Sequence, residues 1–259
     1  MTLLLGLTGL SVRYPGARAP ALAELGLALF EGEKLAIIGE SGSGKSTLAR
    51  AIAGLLPPGS RVEGRIDWGD GPTPRPGRDI GYVFQDPGGS LNPLLSVGRH
   101  LTEVLRTHLP LTARDARARA AELLDTVQIP DPARALNAYP HQFSGGQRQR
   151  IAIALAIAAG PRLLIADEAT SALDVLVQTE ITALLRTLCD AKGMTLLFIT
   201  HDMALAGQLA DRIAVMHAAR MVEIGPAARV LQAPRESYTR SLLAAHLDLA
   251  SPRLVGEAR

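Results

Sequence analysis

One cysteine, Cys189, in a chain of 259 residues leaves no partner for an internal disulfide and excludes an all-cysteine metal or cluster site. Redox chemistry therefore finds no support in the composition. Aromatic residues amount to 3%, so the core must come from the rest of the 47% hydrophobic content, which at this length suffices without a metal or disulfide staple. No apolar run reaches the roughly 18 to 20 residues that span a bilayer. The longest, Ile151 to Ala159, is closed by Gly160, Pro161 and Arg162. The amino terminus, Met1 to Leu10, lacks the positive region and small-residue cleavage site of a signal peptide. It reads as a first strand, and a cytoplasmic location is expected. Charge of one sign is also missing: 27 basic against 25 acidic residues give +2, without a block of like charges. A nucleic-acid partner is not expected. Arg114, Arg117 and Arg119, beside Asp115, read as a solvated helix face. The 25 glycines and 17 prolines are too scattered for a collagenous or low-complexity chain, and no repeat of solenoid length occurs.

What is present is alternation. Runs rich in β-branched residues at Lys34 to Ile38, Ile80 to Phe84, Arg162 to Ala166, Met194 to Thr200 and Arg212 to His217 predict strands, separated by helical periodicity. An α/β fold with a largely parallel sheet is expected. The strongest helix is Val175 to Lys192, with Val177, Ile181, Leu184, Leu185 and Leu188 on one face and Gly193 at the C′ position. Between Pro87 and Gly160 strands vanish in favour of helical stretches, notably Thr112 to Val127 and Gly145 to Ala159, with Pro130, Pro132 and Pro140 as breaks. This predicts an inserted helical subdomain. Gly69 to Gly77, with three prolines and three glycines, predicts a loop.

The sequence Gly39-Glu40-Ser41-Gly42-Ser43-Gly44-Lys45-Ser46 satisfies G-x-x-x-x-G-K-[ST], after a predicted strand and before a predicted helix that opens with Thr47. Glycines let consecutive amides turn inward, and the helix amino terminus adds about half a positive charge. A polyphosphate would meet fixed donors there, with Lys45 on its outer phosphates and the Ser46 hydroxyl on a magnesium ion. Leu163-Leu164-Ile165-Ala166-Asp167-Glu168 ends a strand in two carboxylates. Asp167 suits the metal, and Glu168, facing the other way if the strand continues, suits an attacking water. Taken alone such a strand end is common; its weight comes from the phosphate loop.

Phe143-Ser144-Gly145-Gly146-Gln147-Arg148-Gln149-Arg150 resembles the signature of the ATP-binding-cassette (ABC) ATPases. Further motifs of that family follow in order. Gln85 resembles the Q-loop glutamine, Ser171-Ala172-Leu173-Asp174 the D-loop and His201 the switch histidine. The resemblance covers about residues 1 to 247. It implies a P-loop NTPase core of residues 1–86 and 160–225 with an antiparallel β subdomain, a helical signature subdomain of residues 87–159 and a helical tail of residues 226–259. It implies ATP and magnesium as ligands, Tyr14 against adenine, and Gln85 contacting metal and water. Ser144, Gly145, Gly146 and Gln147, with Asp174, would act across a head-to-tail dimer on nucleotide held by the opposite subunit. His201 would hold the γ-phosphate and orient Glu168.

Residues 83–93, Tyr139 to Phe143, Ser171 to Val175 and Tyr238 to Leu243 are similar to ATPase subunits of bacterial oligopeptide, dipeptide, opine and nickel importers. That implies a peripheral protein on the cytoplasmic face of the inner membrane, working with a second ATPase, identical or paralogous, two permeases and, indirectly, an extracytoplasmic binding protein. The chain departs from the pattern at Ala169, where proline is usual, at Gly88 and Gly89 in the Q-loop, and in lacking a cysteine-rich tail. The last favours a shorter nickel-type or related importer. The rival reading is a soluble cassette ATPase serving an enzyme assembly such as the carbon-phosphorus lyase system.

Overall fold

The computed structural model describes residues 2–69, 72–171 and 173–250. Ala172 of the D-loop stretch, two residues of the 69–77 loop and residues 251–259 of the expected tail lie outside the described residues.

The chain opens with strands β1 (Leu3–Arg13), β2 (Leu22–Phe30), β3 (Lys34–Ile38), β4 (Arg61–Asp67) and β5 (Ile80–Val83). Strands β6 (Leu163–Asp167), β7 (Thr195–Ile199), β8 (Arg212–His217) and β9 (Arg220–Pro226) follow the helical insertion. A small antiparallel sheet has the order β2-β1-β4, and a six-stranded sheet has the order β5-β6-β7-β3-β8-β9, parallel except at β9. The expected parallel core and antiparallel sheet are both present. Every strand anticipated within the large sheet forms, with ends one residue different at most. β2, β4 and β9 were not anticipated individually. Along β2, Leu22, Leu25, Leu27 and Leu29 are buried, a leucine pattern broken by Glu24 at φ 51. β4 is exposed almost throughout, so it carries no hydrophobic alternation to read.

Side-chain alternation along the central strands divides the core in two. Ala36, Ile38, Val83, Leu164, Ala166, Leu196 and Phe198 face one cluster with the later helices. Leu35, Ile37, Ile80, Leu163, Ile165, Leu197 and Ile199 face the other, shared with β1, β2 and helix α1 (Lys45–Ala53). Burying each such leucine or isoleucine contributes about 1.5–3 kcal/mol.

Between β5 and β6 the described residues hold helices and no strand. These are α2 (Pro87–Ser90), α3 (Val97–His108), α4 (Ala113–Thr126), α5 (Pro132–Ala135) and α6 (Gly145–Ile157). Ser96, Thr112, Asp131 and Ser144 cap α3 to α6 by accepting backbone N–H bonds. Helix α7 (Val175–Lys192) ends at Gly193, at φ 62, where the sequence places its C-cap. Helices α8 (Met203–Leu209), α9 (Ala227–Gln232) and α10 (Ser237–Ala250) complete the chain. No helix among the described residues is long and apolar enough to cross a membrane.

Candidate active site

The phosphate loop joins β3, at the centre of the large sheet, to α1. Gly39, Gly42 and Gly44 have φ of 151°, 79° and 105°, a region that favours glycine. A Cβ on Gly39 would collide with the Met216 carbonyl, and one on Gly44 would lie 2.5 Å from the Ala21 carbonyl. The motif therefore needs glycine at these positions for steric reasons. The turn between β8 and β9, with Ala218 and Ala219 at φ 45° and 66°, braces the loop by donating Ala219 N to Ser43 O at 3.2 Å.

Helix α1 begins at Gly44 with no side-chain cap and no acidic residue in its first turn. Its amino-terminal amides are left open to an anion, unlike those of α6, where Ser144 supplies a cap. Lys45 Nζ donates to the carbonyls of Gly39 and Glu40, both at 2.8 Å, and lies 4.0 Å from Glu168 Oε1. Burial lowers the Lys45 pKa below its ordinary value, opposed by the negative charges of Glu168, Asp167 and Glu40.

A cleft of about 380 Å³ opens on this loop, lined by Tyr14, Ala21, Ser41, Gly42, Gly44, Lys45, Ser46, Thr47, Gln85 and Glu168. Tyr14 is half-buried, its hydroxyl 3.1 Å from Thr47 Oγ1. Gln85 Nε2 donates to Glu168 Oε2 at 2.9 Å. Gly39 and Ser43 sit behind the lining, and the Ser43 side chain is buried.

Asp167 lies behind Ser46, with its Oδ1 accepting from the Ser46 hydroxyl at 2.8 Å. Its Oδ2 accepts from Tyr82 OH at 2.7 Å, a partner the sequence pattern did not single out. Glu168 is the next residue but has φ 48°, so the chain leaves the strand there and turns its carboxylate into the cleft. Ala169 is buried, and Ser171 Oγ donates to the Glu168 carbonyl at 3.0 Å, so the turn holds without a proline. Glu168 N donates to Ile199 O at 3.0 Å, which sets the end of β6 beside the end of β7, two residues before the exposed His201.

The structure does not bring the signature residues or Asp174 into this cleft. Ser144, Gly145, Gly146 and Gln147 form the amino terminus of α6, where Ser144 N and Gln147 Oε1 complete a reciprocal cap. Asp174 caps α7 by accepting from Val177 N at 3.0 Å. The two helix starts touch: a Cβ on Gly146 would lie 2.8 Å from Val177 Cγ1, so glycine allows the approach. Gln178 Nε2 pins the intervening loop by donating to the carbonyls of Thr170 and Leu173.

A family model described as ABC transporter matches residues 22–171. The chain belongs to that family. The cassette is 43% identical over 265 residues to the oligopeptide transport ATP-binding protein OppD of Bacillus subtilis, covering 97% of this chain and 74% of that protein. It is 41% identical over 262 residues to the dipeptide transport ATP-binding protein DppD of Escherichia coli, covering 96% and 80%. Among solved structures, it is similar to a dimeric ATP-binding cassette in a post-hydrolysis state bound to ADP and Pi, with TM-score 0.74 and 30% identity over 86% of this chain and 98% of that one. A cassette of the cbiONQ transporter complex of Clostridium perfringens matches with TM-score 0.77 and 28% identity over 98% and 97%.

Proposed function

We propose that this cassette is the ATP-hydrolysing subunit of a bacterial ABC importer for peptides or a related small solute such as nickel, acting as an ATP-closed head-to-tail dimer. The observation that carries the reading is the uncapped start of α1, wrapped by the phosphate loop and facing Glu168 across one cleft. Open amides and Lys45 suit a polyphosphate, while Tyr14 at the rim suits a base. The oxygens of Ser46 and Gln85 in the cleft, with the Asp167 carboxylate supporting Ser46 from behind, fit a magnesium ion, which when bound would offset phosphate charge. Glu168, steadied by Gln85, accepts a proton from the attacking water, and His201 contacts the γ-phosphate.

The position of the signature outside the cleft supports the dimer. Ser144 accepts a cap bond yet keeps its O–H to donate, so the α6 start can meet the γ-phosphate of a partner's nucleotide. Asp174, at the touching start of α7, then links the two sites. Peptide-transport names among the relatives favour the importer over the lyase-type assembly. The partners of this reading are a second cassette, two permeases and an extracytoplasmic binding protein, with the chain peripheral on the cytoplasmic face of the membrane.

Glu168→Gln should lower turnover by about 10²- to 10⁴-fold while ATP binding persists and an ATP-bound dimer accumulates. Wild-type turnover in that variant would remove Glu168 from its role. Purification in mild detergent with ATP and magnesium should recover two polytopic permeases, whereas soluble enzyme subunits without a permease would replace the importer by the lyase-type reading.

A further inference from the structure

Tyr82 belongs to a short strand at the edge of the large sheet, and its parallel register fixes where its ring goes. Tyr82 pairs with Ile165 and Val83 with Ala166, so Tyr82 shares a face with Ile165 and Asp167. Asp167 stands two residues beyond the register partner, about 6.6 Å along the strand at roughly 3.3 Å per residue. A phenol lying along the strand covers that offset, and its hydroxyl meets Asp167 Oδ2 at 2.7 Å. Asp167 is only 4% exposed, so neither of its oxygens has ready access to water. Ser46 supplies the donor for Oδ1 and Tyr82 the donor for Oδ2.

Those two bonds set the direction of the Ser46 hydroxyl. Because it donates to Asp167, its lone pairs are left for the cleft side, where Ser46 is part of the lining. A buried Oδ2 without a donor would turn towards another one, and the Ser46 hydroxyl would follow the carboxylate. A phenol, ordinarily protonated at neutral pH, is the donor in this bond because the carboxylate can only accept. The ring also packs on Phe84, centroids 4.4 Å apart, a contact that phenylalanine at position 82 would keep.

We propose that Tyr82 is a positioning residue for the metal-holding side of the cleft, its hydroxyl orienting Asp167 and, through it, the Ser46 oxygen. The inference rests on the reading of the cleft as a magnesium–ATP site. It separates the hydroxyl, which acts through Asp167, from the ring, which packs on Phe84.

The test is ATP affinity of the full chain by calorimetry, with and without magnesium, in wild type and Y82F. Metal-free ATP affinity should stay within about twofold, while the magnesium needed for half of the metal-dependent gain rises roughly tenfold or more, as for other groups that orient metal ligands. Manganese in place of magnesium gives a second readout, with weaker binding to the Y82F–ATP complex by electron paramagnetic resonance. Y82M, long and without a hydroxyl, should repeat the result should Y82F not fold. An unchanged magnesium requirement in either variant overturns the proposal, as does an equal loss of metal-free ATP binding, which would make Tyr82 a packing residue. A wild-type protein whose ATP affinity ignores magnesium would instead defeat the reading of the cleft itself.

Discussion

Gln85 holds Glu168 by donating from Nε2 to Oε2 at 2.9 Å, so the first residues after β5 are tied to the carboxylate that faces the phosphate loop. Two residues later α2 begins the helical insertion. A movement of those helices would reach Glu168 through one side chain. Gln85→Ala should lower kcat by about 10- to 100-fold, the usual effect of removing a group that orients a site, with little change in metal-free ATP affinity. Steady-state ATPase assays beside equilibrium ATP binding separate the two. An unchanged kcat would mean that Glu168 needs no such partner.

Ser144 offers a different test, because it lies outside the cleft it is proposed to serve. Ser144→Arg removes the α6 cap, a loss of about 1 kcal/mol, and sets a bulky cation at the surface meant to close on a partner. ATP binding to the monomer should persist, while ATP-driven dimerisation and turnover are lost. Light scattering with ATP added to the Glu168→Gln background reads the dimer directly. Dimers that form as readily with Ser144→Arg would refute a role for this surface in closure.

The residues that line the cleft were legible because most of them sit in short, contiguous motifs. The phosphate loop needs its glycines at fixed steps, and Asp167 and Glu168 follow one another at a strand end. Tyr82 was not legible: its bond to Asp167 depends on the pairing of β5 with β6, and no local pattern records which strands become neighbours. The five strands of the large sheet that were anticipated carry continuous apolar runs, being covered on both faces. β4, exposed along its length, has no such run, and β9 joins the sheet edge through a tight turn that uses alanine where glycine or asparagine would have signalled it. The signature helix could be read, but its distance from the cleft is a property of the fold alone.

Glu223 in β9 anchors the start of the carboxy-terminal tail, and it does so with a charge. Its Oε1 accepts from Arg229 Nη1 at 2.9 Å and Arg235 N at 3.1 Å, and its Oε2 from Glu236 N at 3.1 Å. Burial pushes the carboxyl up, but the amides of Arg235 and Glu236 and the Arg229 guanidinium outweigh it, and the pKa falls below its ordinary value. Glu223→Gln keeps the shape but turns an amide NH₂ towards groups that are themselves donors. At neutral pH it should cost about 1–3 kcal/mol, read as a lower urea midpoint. A depressed carboxylate stabilises fully above its unfolded pKa, about 4.3, and loses that contribution as pH falls through the lower folded value. The gap between wild type and Glu223→Gln should therefore hold from pH 7 to about 5 and narrow on further acidification. A gap absent at pH 7, or one that widens in acid, would show that the tail is held by its apolar contacts and not by this carboxylate.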